Sequence, residues 1–225
     1  MTDRYKRLAT PVSAVVMVAG VVTALVLPGT PDSTASGTKV IAFFQAHHTA
    51  MYAAAISLAY AAAAGVLYFV SVASYLRERG SQVLATTTAV GAGLFATGLL
   101  LASGTIVAVN DAPGRMTADV ARTLNVLQDD VWAPAMFAGV GIAVLSIGVA
   151  SLRTKALPMA LGIITVIVGV VGLSGIGSWF AFMATGPLAL VIAGYVYQRQ
   201  GRPAQISMPD IPAQAKAQTG SQVNA

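Results

Sequence analysis

The residues able to do acid–base or metal chemistry gather in two short stretches. "FFQAHHTAMYAAA" (43–55) holds the chain's only histidines, His47 and His48, and "QDDVWAPAM" (128–136) holds its one adjacent acidic pair, Asp129 and Asp130. An imidazole near a carboxylate titrates close to neutral pH and makes a proton sensor. Consecutive residues on a helix point about 100° apart, so neither pair chelates an ion alone. Zinc takes about four ligands, and the chain has no cysteine to supply any. A haem held between helices needs histidines from facing helices, and no third histidine exists. The expectation is no metal, no cofactor and no catalytic residue. The histidines read first as interfacial residues, and the aspartates as acids placed against a helix dipole. The sharper reading is an outer polar cluster of His47, His48, Asp129 and Asp130, since both pairs lead into apolar runs from the same side.

Enzyme signatures are missing as well. The chain has no G-x-S-x-G, H-E-x-x-H, P-loop or dinucleotide fingerprint. Lys and Arg form no cluster interleaved with aromatics, so nucleic acid is not an expected partner.

The elements that carry these residues follow from composition. Of 225 residues 56% are hydrophobic and only 9% charged, and mean hydropathy is +0.74. A soluble domain carries about 25% charged residues. So few charges cannot cover a water-facing surface, and the bilayer is the expected solvent. A crossing helix needs about 20 apolar residues, and six runs qualify: 8–27, 49–76, 83–109, 131–152, 156–176 and 179–197. None contains Asp, Glu, Lys or Arg. Backbone exposed to lipid must satisfy its own hydrogen bonds, so each run is expected to be helical. The fold class is all-α, a six-helix transmembrane bundle over 1–197. The tail 198–225, rich in Gln, Ala, Pro and Ser, cannot bury a core and reads as a disordered cytoplasmic segment.

Orientation comes from the cations. Arg4, Lys6, Arg7, Arg77, Arg79, Arg153, Lys155, Arg199, Arg202 and Lys216 fall on one side of the six-span threading, and only Lys39, Arg115 and Arg122 on the other. The positive-inside rule then puts both termini in the cytoplasm of a cell whose plasma (inner) membrane holds the bundle. "MTDRYKR" resembles a signal-peptide n-region. The apolar stretch behind it is long, and "LPGTPDSTASG" offers no A-x-A site, so the run is read as a retained span.

Both long outer loops, 28–48 and 110–130, end in a helical lead-in. Val40, Ile41, Phe44, His48 and Met51 share one face of the first. Val120, Leu124, Leu127 and Val131 share one face of the second, with Thr117 as its N-cap and Asp119 in its first turn. The likeness suggests two repeated helical hairpins. In "GIITVIVGVVGLSGIG" (162–177), Gly162 and Gly169 share a face, and Gly169, Gly172 and Gly175 step by three. Small residues at such spacing let helices approach closely in lipid. Pro187, after Thr185 and Gly186, is expected to kink the last span.

"MFAGVGIAVLSIGVASLRTKALPMALGIITVIVGVVGL" (136–173) resembles the closing part of small multi-pass membrane proteins of unknown function, common in actinobacteria. In those a span ends in a basic residue, a small residue, "LP" and a Gly before the next span. Here these are Arg153, Leu157, Pro158 and Gly162. "FFQAHH" is similar to their outer lead-in. The resemblance implies about six helices and carries over no site residue. Two function classes follow from the residues. The first is a non-enzymatic packing protein that works against a second copy or a membrane-protein partner. The alternative is a permease or carrier for a small neutral or lipid-like molecule.

Overall fold

The computed structural model describes residues 3–111 and 114–200, with side chains from Leu8 onward. The basic cluster at 4–7 and most of the tail, from residue 201, carry readings that lie outside the described side chains. Every regular element among the described residues is helical: α1 (Asp3–Val26), α2 (Gly37–Ala46), α3 (His48–Glu78), α4 (Gln82–Asp111), α5 (Ala118–Leu127), a π-helical turn (Gln128–Trp132), α6 (Ala133–Thr154), α7 (Met159–Leu173) and α8 (Ser178–Gln200). Residues 198–200, assigned to the tail from sequence, form the last turn of α8, because the apolar side of that helix continues through Val196.

Five helices are long and apolar enough to cross a membrane: α1 from Leu8, α3, α4, the continuous Ala118–Thr154 helix, and α8. The run at 156–176 yields a shorter helix. α7 has 15 residues, about 22 Å at 1.5 Å per residue, because Pro158 sets its start and Gly175, at φ +77°, follows its end. Lys155 adopts the left-handed conformation and stops α6. The Tyr75 hydroxyl donates to Ala156 O at 3.0 Å and holds that turn against α3.

Neighbouring helices stack in chain order: α1 on α3, α3 on α4, α4 on α6 and α6 on α7, with α8 closing against α1 and α7. The central core holds Tyr68, Phe69, Phe95, Leu99, Ile147 and Val196. Small residues at the crossings let these apolar helices approach closely, backbone to backbone. A β-carbon on Gly91 would lie 2.6 Å from Ala143 N, and one on Gly148 2.6 Å from Val166 N.

A smaller apolar cluster at one end of the bundle joins α2 and α5 through Val40, Phe44, Met51, Ile106, Val109 and Ala121. Both lead-ins span ten residues. Ser36 caps α2 by accepting from Lys39 N, and Thr117 caps α5 by accepting from Val120 N, each at 3.4 Å. The helices cross where Gly37 meets the Ala118 carbonyl, leaving no space for a β-carbon. The two halves thus share a plan: long helix, loop, capped ten-residue lead-in, long helix. They differ at the last joint. The first lead-in breaks at His47, at φ −117° and ψ 24°. The second runs through the π turn into α6, so Pro134 sits inside a continuous helix rather than at a free start. Proline cannot donate to the carbonyl four residues back and its ring crowds it. That carbonyl belongs to Asp130, within the widened turn.

Candidate functional site

The half of the bundle nearest α2 and α5 holds a half-open cavity of about 270 Å³. Its walls come from α1, α3, α4, α6 and α8, and most are apolar, among them Leu25, Met51, Leu99, Ile106, Met136 and Phe182. Its polar end lies by the 28–30 loop and the π turn: Thr30, Gln128 and Asp129 line it there, beside Trp132 and Trp179. These are the only two tryptophans in the chain.

Each polar group is held by a traceable local cause. Pro28, Gly29 and Thr30 leave α1 as an extended loop and roof the cavity. The second half of the molecule pins that loop: Asn125 Nδ2 donates to Pro31 O at 2.9 Å and to Asp32 O at 3.1 Å, and Gln128 Nε2 donates to Thr30 Oγ1 at 3.3 Å. Trp132 Nε1 donates to Thr105 Oγ1 at 3.0 Å, which fixes the indole between α4 and α6. Trp179 stacks on Phe182 at 5.8 Å and meets Phe137 edge-on. The π turn sets the angular position of Asp129: a widened turn rotates the downstream residues relative to the lead-in, and such turns recur at functional sites.

Asp129 also lines a second cavity of about 280 Å³ on the far side of α6, with Pro134, Phe137, Gly175 and Ser178. Its carboxyl is pushed above the ordinary carboxylate range, first by burial and then by the like charges of Asp130 and Asp32. Asp32 is shifted the opposite way: its carboxylate accepts from Thr34 Oγ1 at 2.6 Å and Thr34 N at 2.8 Å, and these bonds favour the charged form.

A narrower apolar crevice of about 90 Å³ adjoins the first cavity, and Val21, Leu25 and Phe182 line both. It lies between α1 and α8, where Val18 and Val22 face Gly186 and Pro187. Pro187 and Gly186 remove backbone bonding and side-chain bulk at this level of α8. Thr185, buried at the same level, donates its hydroxyl to Ala181 O at 2.8 Å.

The histidines have other partners. His47 Nδ1 donates to Phe43 O at 3.0 Å and its ring stacks on Phe43. The ring of His48 meets Tyr52 edge-on, and its carbonyl accepts from Asn110 Nδ2 at 3.0 Å. Asp129 stands near Asp130 and Asp32, and neither histidine lines the two cavities that Asp129 lines. Among the described residues no group of three His, Cys, Asp or Glu is arranged to hold a metal. Ser103 and Asn110 serve helix pairing: Ser103 Oγ donates to Ala55 O at 2.8 Å, and Asn110 bonds to His48 as above. Gly162, Gly169 and Gly172 face α6, against Leu152, Leu145 and Gly141, while Gly175 forms the α7–α8 turn. Sequence reasoning passed over Trp179, Phe182 and Thr30. The usable signal was that both tryptophans fall at the outer ends of spans. Comparison with protein-family profiles, curated protein sequences and solved structures returned no match.

Proposed function

We propose that the chain crosses a plasma membrane six times with both termini in the cytoplasm, and takes a small neutral or lipid-like molecule into the outer half of its bundle as a non-enzymatic carrier. Two facts support α7 as the sixth span. Gly162, Gly169 and Gly172 run antiparallel along α6, and the turn after α7 lines a cavity with Pro134 at the outer end of α6. A crossing α7 also keeps Arg153 and Arg199 on one side, as the positive-inside rule requires.

The observation that carries the carrier reading is the half-open cavity that shares Val21, Leu25 and Phe182 with the α1–α8 crevice. A bilayer-facing crevice admits a guest sideways from the lipid, and an apolar chamber with a few polar groups at one end is the usual make-up of a small-molecule site. At about 30 Å³ per water-sized group, 270 Å³ holds about nine such groups. The expected outcome is that protein extracted in mild detergent carries a stoichiometric lipid-like molecule, detected by mass spectrometry after solvent extraction. Ala24→Phe and Ala102→Phe, which fill the chamber, lose it. Equal cargo on wild type and both filled variants counts against the reading.

A packing role is the second reading, favoured by one surface. Gly93, Thr97 and Gly104 are exposed along α4, and β-carbons on Gly93 and Gly104 would meet nothing within 4 Å. Thr97→Cys is expected to cross-link two copies in membranes if this face meets a second copy. A face used by another membrane protein would give a hetero-adduct, and no adduct of either kind removes this reading.

A further inference from the structure

Building on the carrier reading, we infer that the outer cavity selects a single-chain amphiphile with a cationic head, its alkyl tail in the α1–α8 crevice and its head against Asp129. Three observations converge. First, the polar groups of the chamber are confined to one end and the crevice opens at the other side of the apolar wall, so a bound guest must be polar at one end only. Second, among the described residues Asp129 is the only charged side chain lining the chamber. The charges acting on it, Asp130 and Asp32, share its sign. Among the described residues no donor bonds to its carboxylate, whereas Asp32 nearby is committed to Thr34. A half-buried carboxylate whose charged neighbours are both anions is complementary to a cation, and it repels an anionic head. Third, Trp132 and Trp179 flank that end, and indole faces attract cations, quaternary ammonium groups especially.

The tryptophans supply the experiment, because the chain's only two both line the cavity. Dodecyl amphiphiles brominated at the chain end quench indole emission on contact. The full chain, in uncharged maltoside micelles, is titrated with brominated dodecyltrimethylammonium, dodecanol and dodecyl sulfate, each competed with its unbrominated form to isolate saturable binding. The expected result is saturable quenching by the cationic and neutral probes, the cation binding about tenfold tighter, as a partly desolvated cation–aromatic and charge contact provides. Asp129→Asn lowers the cation to the affinity of the alcohol, and Asp129→Glu restores most of the preference. Saturable quenching that is equal for all heads, or strongest for the sulfate, or unchanged in Asp129→Asn, overturns the head assignment and leaves the carrier reading standing. No saturable quenching by any probe overturns both.

Discussion

Asp129 and Asp32 show how two identical side chains a short distance apart come to hold opposite roles. Asp32 is exposed and accepts two bonds from Thr34, which favour its anion. Asp129 is half-buried and faces like charges, which favour its acid. The sign of each linkage is then fixed. Folded Asp129 keeps its proton to higher pH than the unfolded chain does. Between the ordinary carboxylate value and that raised value the folded state binds more protons, so stability falls as pH rises through the window. Asp129→Asn removes the penalty. Its melting temperature should exceed wild type's at neutral pH, and the gain should vanish in acid below the ordinary carboxylate range. Asp32→Asn should do the reverse, with a small loss at neutral pH that disappears as pH falls through the lowered value. Melts across that range read both. The acidic pair was visible in the sequence as chemistry, but its partner was not. Both pairs precede apolar runs, which made a histidine–aspartate meeting reasonable. The break at His47 and the π turn at 128–132 set how each pair enters its helix, and neither leaves a hydropathy trace.

At the scale of elements, glycine separates positions that set helix spacing from positions that do not. On α6, a β-carbon at Gly139 would collide with the backbone N of Phe95 on α4. Gly139→Ala must push those helices apart, and overpacking of this kind costs about 1–3 kcal/mol. On α4, Gly93 meets nothing within 4 Å, so Gly93→Ala recovers helix propensity and is expected to stabilise by about 0.5–1 kcal/mol. Opposite shifts in melting temperature check the pair; shifts of the same sign contradict the packing described. At the outer end, Asn110→Ala removes the bond to His48 O, a loss of about 1 kcal/mol by the measure of interhelical bonds in membranes, read in the same melts. The apolar runs were legible because continuous hydrophobicity over about 20 residues marks a long apolar helix. The capped lead-ins were legible from Ser36, Thr117 and the spacing of Val40 and Phe44. Which helices pair was not. Closure of α8 on α1 depends on where small residues such as Gly186 fall after folding, and many faces of this alanine-rich chain look alike in sequence.

The whole molecule is a closed arrangement of two similar halves plus α7 and α8, with its chamber at the end where the halves meet. That end is the extracytoplasmic one if the cations set the threading. The absence of cysteine allows a direct check with single-cysteine variants and a membrane-impermeant maleimide on intact cells. Ser33→Cys and Ile176→Cys, the latter at a site 98% exposed, should label from outside, and Glu78→Cys only after permeabilisation. Labelling of Ile176→Cys only after permeabilisation would mean that α7 turns back without crossing. Function rests more narrowly on the chamber itself. The most direct measurement is an experimental structure in a lipid bilayer, read for density in the space between Pro187 and Asp129. The account predicts one elongated density entering between α1 and α8 with its polar end at Asp129. A chamber collapsed by its own side chains, or holding only water, would contradict it.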